Sequence, residues 1–343
     1  MEKNNFDFLR FYFAFVVVFS HCISLSVAPD LQFLNPYFDT HLSITGFFII
    51  SGFLIYGSYL KSKSLKDYFI KRAKRILPAY LFIILFSAIF FYLFSTYSIN
   101  EYFIHVQFTK YLFANLFFLN FIEPCLPGVF ASNSLCAING ALWTLKVEVA
   151  FYLAIPLIVY FGNKFSKPYL WYILLYVLGL FYQFFLNKLG VIFAEKHSFF
   201  MVLKHQMPGF LTYFISGIAL NHYFDFYKNN KKYLTIFSVI IFVVEYHFDL
   251  EILRPIALSI LIMGIAFGFK FLNNFGKHGD FSYGIYIYHF PLIQLLVSFD
   301  WFTRYNPYLV IFFIVSVVFA FSYFSWHLLE KKFLYRFKHT MLN

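Results

Sequence analysis

Charge is what this sequence has least of. Only 13% of its 343 residues are Asp, Glu, Lys or Arg, against roughly 25% in an ordinary soluble domain. A soluble fold of this size could not hide a chain that is 61% hydrophobic and 25% aromatic. Lipid must therefore be its solvent over much of its length. Three cysteines are too few for a disulfide scaffold. There is no GxSxG elbow, no P-loop and no GxGxxG ahead of a helix. The histidines are scattered, without a two-His spacing such as HExxH, so no metal is expected. Repeats, low-complexity tracts and a water-soluble segment are also missing. Residues 1–343 thus read as a single membrane domain with no appended soluble domain.

What is present is a series of apolar runs with basic flanks. The net charge is +11. On a soluble chain that surplus suggests nucleic acid, but here it lies between apolar runs, the pattern that orients membrane proteins, so no nucleic-acid partner is expected. The runs are 8–27, 41–60, 77–97, 141–161, 169–187, 208–223, 233–247, 252–271, 282–299 and 308–329. They predict an all-α polytopic protein of about ten transmembrane helices. The run Tyr111 to Ile122 is too short to cross and reads as re-entrant or interfacial. The first run carries Arg10 and His21, which the core of a cleavable signal would not usually hold.

With the N-terminus inside, twenty basic residues fall on inside segments, from Lys3 and Arg10 to Lys331, Lys332, Arg336 and Lys338. Six fall outside: Lys110, Lys188, Lys196, Lys204, Arg254 and Arg304. That bias places both termini in the cytoplasm. The abundance of Phe, Ile, Asn and Lys suggests an AT-rich, bacterial genome, hence a bacterial cytoplasmic (inner) membrane. The longest outside loop, 98–140, contains Pro124, Pro127 and Gly128 and reads as a structured lid. Its Cys125 and Cys136 are either bridged, as the outside compartment allows, or two unpaired thiols.

Ionisable groups inside spans are functional candidates by default. Arg10 and His21 are eleven residues apart, about three helical turns, so they share a face roughly 16 Å apart along the axis. That arrangement suits an anion-binding residue near the cytoplasm and a proton acceptor deeper in, and equally a buried hydrogen-bonded histidine. Arg72 and Arg75 lie three apart before Pro78. They suit either a bidentate phosphate clamp, as the phosphates of coenzyme A require, or an ordinary positive-inside flank. Glu148, inside its span after Trp143 and Lys146, can orient His21, bind an acceptor hydroxyl, or pair structurally with Arg10 or Lys146. Tyr286 and His289, three apart ahead of Pro291, can line a cavity or pack as aromatics.

Together these motifs resemble the membrane-bound acyltransferase-3 family, whose members O-acetylate surface glycans. The resemblance covers essentially the whole chain. It rests on Phe8-Leu9-Arg10 with His21, on Gly46-Phe47-Phe48-Ile49-Ile50-Ser51-Gly52-Phe53-Leu54, and on Arg72-Ala73-Lys74-Arg75 with Pro78. It rests also on Trp143 to Tyr152 and on Ser282-Tyr283 to Pro291. Two positions depart from the pattern: Lys146 stands where a small residue is usual, and Lys331 follows Glu330 where proline is commoner.

The resemblance implies an O-acyltransferase that moves an acyl group, acetyl above all, from cytoplasmic acetyl-CoA to a hydroxyl of a surface polysaccharide, lipopolysaccharide or O-antigen sugar. It implies catalytic roles for His21 and Glu148, and acetyl-CoA binding by Arg10, Arg72 and Arg75. Trp143, Tyr286 and His289 are expected to bind the glycan acceptor. The partners implied are a glycan and membrane lipid, with a homo-oligomer left open. The chain stops shortly after its last span, so it is expected to acylate directly or to hand over to a separate protein. The rival readings, a flippase or a polymerase of lipid-linked glycans, require inverted repeats or large outside loops.

Overall fold

The computed structural model describes residues 3–248 and 251–335. Arg336 and Lys338, two of the inside basic residues, lie outside them. Among the described residues every regular element is helical. The principal helices are α1 Phe6–Ser26, α2 Thr40–Leu60, α3 Leu65–Phe90, α4 Trp143–Gly162, α5 Pro168–Ile192, α6 Leu211–His222, α7 Phe224–Phe248, α8 Arg254–Gly268, α9 Ser282–Ser298 and α10 Pro307–Ser325.

Among the described residues six helical stretches, those holding α1 to α5 and α10, are long and apolar enough to cross a membrane. They become seven if α8 and the short 3-10 turns after it, bent by 73°, form one span. The others fall short for local reasons. α6 has only 12 residues and α9 only 17. α7 is long, but Asp225, Lys228, Lys231 and Lys232 fill its first turns.

Caps explain where the helices start. Pro168, Pro255 and Pro307 occupy first-turn positions of α5, α8 and α10, where a missing N–H costs nothing. α3 begins well before the apolar run at 77. Ser64 Oγ accepts from the backbone N–H of Asp67 at 3.1 Å, and Asp67 accepts from Lys63 N–H at 3.1 Å. This is a reciprocal N-cap that starts the helix at Leu65. Pro78 is therefore inside α3 and not at its start.

The described chain forms two compact units. One comprises Ile44–Phe69, Val147–Phe275 and the residues before Asp7. In it α2 meets α6 through two glycines. A Cβ on Gly52 would lie 2.2 Å from the Phe214 carbonyl oxygen, and one on Gly217 would lie 2.1 Å from that of Ile49. Only glycine permits backbones this close. Phe151 stacks on Phe214 beside this crossing, with centroids 3.9 Å apart.

The second unit comprises Asp7–Ser43, Ile70–Lys146 and the chain from Gly276 onward. Its loop 98–140 is structured. Helix Ile99–Ile104 opens on a capping box between Ser98 and Glu101, and helix Val106–Leu116 follows. At 11 residues the latter is too short to cross. Cys125 and Cys136 form a disulfide. Gln294 on α9 donates to the carbonyls of Leu135 (2.6 Å) and Ala137 (2.8 Å), and Asn139 donates to that of Ile287 (2.8 Å). The bridged loop is thus sewn onto α9.

Candidate active site

The second unit joins α1 to the α9 segment at two levels. At the first level Arg10 pairs with Asp7 (2.6 Å) and with Asp280 (3.3 Å). Arg75, from α3, pairs with the same Asp280 at 2.6 Å and with Glu330 at 3.8 Å. Asp280 lies two residues before α9 and also accepts from the N–H and hydroxyl of Ser282. Burial alone would push its carboxyl up, but Arg10, Arg75 and the Ser282 donors outweigh that and hold it well below the ordinary carboxylate range.

Glu330 sits in a π-helical turn, Trp326–Glu330, that follows α10. It accepts from Ser325 Oγ at 3.0 Å, and that hydroxyl in turn accepts from Tyr288 at 2.9 Å. Close packing is required here: the φ of Gly279 is +140°, and a Cβ there would lie 2.4 Å from Trp326 Nε1.

At the second level His21 on α1 meets His289 on α9. His21 Nδ1 and His289 Nε2 are 2.7 Å apart, and His289 Nδ1 lies 3.1 Å from the carbonyl oxygen of Ile285. The rings are nearly parallel, at 10°. His289 is fully buried, whereas His21 is half-buried. Phe290 meets the His21 ring edge-on at 5.1 Å. Phe290 itself lies against Gly140, where a Cβ would be 2.6 Å from its ring. Arg10 meets the beginning of the α9 segment and His21 meets its middle, so α1 and α9 run in the same direction.

The remaining expected residues are placed as follows. Tyr286 is buried, and its hydroxyl is shared with Thr144 Oγ1 (2.7 Å) and the Ala141 carbonyl (3.2 Å). Trp143 opens α4 beside Thr144 and is half-buried. Arg72 is half-buried on α3, one turn before Arg75. The Lys146 ammonium lies 4.1 Å from the centre of the Phe121 ring. Glu148 belongs to the first unit, where it accepts from the hydroxyl of Tyr152 one turn on.

The structure therefore brings His21 to His289, and Arg10 to Arg75 by way of Asp280. Sequence reasoning missed Asp280 and Glu330. The signals were small: an acid just before Ser282-Tyr283, and an acid followed by two lysines at the end of the last run.

Comparison with known proteins shows the family. The model of the acyltransferase-3 family, described as an acyltransferase domain, matches residues 3–327. The chain is similar to the O-acetyl transferase of Shigella phage Sf6, at 27% identity over 98% of each chain. It is also similar to nodulation protein 10 of Rhizobium leguminosarum bv. viciae, at 27% identity over 88% of this chain and 85% of that one. No solved structure matches it. The chain belongs to the acyltransferase-3 family.

Proposed function

We propose that this membrane acyltransferase moves an acetyl group from cytoplasmic acetyl-CoA to a hydroxyl of a cell-surface polysaccharide or lipopolysaccharide sugar. The observation that carries this reading is the two-level junction of α1 with α9. A hydrogen-bonded imidazole pair stands at one level and guanidiniums at the other, roughly 16 Å away along α1. The acetyl donor of this reading takes support from the O-acetyl transferase of the phage, which matches over nearly the full length of both chains.

In this reading the protein sits in the bacterial inner membrane, crosses it about ten times and keeps both termini in the cytoplasm. Three things support that topology. The basic residues divide twenty to six. Parallel α1 and α9 require an odd number of crossings between them, and the ten-span reading puts seven there. The Cys125–Cys136 bridge falls on the side where disulfides persist.

Acetyl-CoA docks from the cytoplasm with its phosphates on Arg10, Arg72 and Arg75. The pantetheine arm follows α1 and brings the thioester toward His21. The glycan hydroxyl arrives from the other side, and His21 takes its proton as the oxygen attacks. Trp143 and Tyr286 support the acceptor side.

A positioned general base contributes about 10²- to 10⁴-fold. His21→Ala, at matched membrane abundance, should therefore lower glycan O-acetylation by at least about 100-fold. NMR of the surface glycan reads this directly, from a strain carrying the gene, the variant or neither. Undiminished O-acetyl signals in the variant strain would overturn the reading.

A further inference from the structure

We infer that His289 is a positioning residue: it fixes the tautomer and ring orientation of His21 and leaves His21 Nε2 as the bare nitrogen that accepts the proton. The inference rests on the reading of His21 as the base and goes beyond it, because it takes His289 away from acceptor binding.

The Ile285 carbonyl can only accept, so His289 Nδ1, 3.1 Å away, carries a proton. A neutral imidazole has one N–H, so His289 Nε2 is bare and must accept. Its partner is His21 Nδ1 at 2.7 Å, which therefore carries the proton of His21. His21 Nε2 is then the free lone pair.

Both rings lie almost in one plane, at 10° with centroids 5.0 Å apart. That is the arrangement in which the N–H of one ring points along the lone pair of the next. A doubly protonated His289 would be a fully buried cation, which is costly without a carboxylate partner. Its neighbours are a carbonyl, the His21 ring and the rings of Tyr286 and Phe290.

The consequence is a division of labour. The acceptor hydroxyl gives its proton to His21 Nε2, its oxygen bonds to the thioester carbon, and the C–S bond breaks. The leaving thiolate then takes the proton back from Nε2. The products are the ester and the free thiol, and nothing is oxidised or reduced. During this cycle His21 becomes an imidazolium whose Nδ1–H donates to a neutral acceptor, His289. This is how a second group orients a catalytic imidazole in a triad, except that here the orienter is a histidine anchored by a backbone carbonyl.

Two variants and one spectrum test it. The full-length protein in nanodiscs is assayed for thiol release from acetyl-CoA, with de-O-acetylated surface glycan as acceptor. His289→Leu removes the acceptor of the Nδ1–H. Its kcat should fall by about tenfold to a hundredfold, the size of a lost hydrogen bond to a charged group, while the KM for glycan stays unchanged. His289→Gln places an oxygen where Nε2 stood and should recover most of that loss. Unchanged kcat in His289→Leu, a raised glycan KM at constant kcat, or no recovery in His289→Gln would each overturn the inference.

A variant that fails to fold does not decide the matter, because ¹⁵N-histidine NMR reads the tautomer in the unsubstituted protein. His21, assigned by its loss in His21→Ala, should be protonated at Nδ1 and bare at Nε2. The opposite tautomer would overturn the inference. If His21→Ala proves fully active, the base reading fails, and the spectrum still answers whether His289 sets the His21 ring.

Discussion

The two levels at which α1 meets the α9 segment solve the same problem in opposite ways. At the Arg10 level, besides Asp7, two guanidiniums crowd together with the carboxyl groups of Asp280 and Glu330. They are tolerable because each neutralises another. At the His21 level nothing need be ionised at rest. Two imidazoles and a carbonyl hand hydrogen bonds along a line. The first level depends on charge balance and the second on geometry. A substitution at the first level should therefore lower stability, and one at the second should lower transfer alone.

The sharpest way to break the first level is Asp280→Asn, which leaves Arg10 and Arg75 facing each other without their shared counter-charge. Losing one partner of a buried pair costs about 3–5 kcal/mol. The loss should appear as a lower midpoint of thermal unfolding in detergent. Midpoints within a degree of the wild type would mean that the network contributes nothing.

Next in size is the loop that holds α9 at the His21 level. A bridge closing a loop as short as Cys125–Cys136 is worth roughly 3 kcal/mol. Cys125→Ser with Cys136→Ser should loosen the loop, as amide exchange over 125–139 would record. It should also slow transfer while leaving the Arg10 level intact.

A smaller effect is expected of Arg10→Lys, about 1 kcal/mol, because one ammonium cannot reproduce a fork divided between Asp7 and Asp280.

The smallest effect is in pH. The Asp280 carboxyl is held below its ordinary value in the folded protein, so the unfolded chain binds its proton first. Its stabilisation is complete above the unfolded value of about 3.9 and fades only as pH falls below it toward the folded value. The stability difference between wild type and Asp280→Asn should therefore not narrow until the pH falls below about 4. A difference that already narrows at pH 6 would show that another group controls the network.

Much of this was legible in the sequence. Composition shows an all-helical membrane protein. The eleven-residue spacing of Arg10 and His21 puts both on one face of α1, where they are found. The position of Glu148 four residues before Tyr152 suffices for their contact within one helix. What could not be read had long-range causes. His289 lies 268 residues from His21, and no periodicity connects them. Asp280 sits in a polar linker ahead of an apolar run and shows its importance only when Arg10 and Arg75 arrive from two other helices. The start of α3 was missed because a Ser64 cap and a basic first stretch outweigh the hydropathy that marks the span. Gly52 belongs to a motif that looks functional, yet its visible role is to let α2 approach the Phe214 carbonyl.

The parallel course of α1 and α9 has one more consequence. Eleven residues separate the two anchor points on α1 and nine separate them on the other strand of chain, which is roughly 16 Å against 14 Å if both were helical. The two scales agree because Asp280 stands off the helix, ahead of Ser282, and because arginine is long enough to take up the remainder. The pair therefore works as a ruler with marks on both edges. Deleting a single residue between Arg10 and His21 would turn His21 by about 100° away from its mark while leaving Arg10 on its own, and so part the two levels from each other.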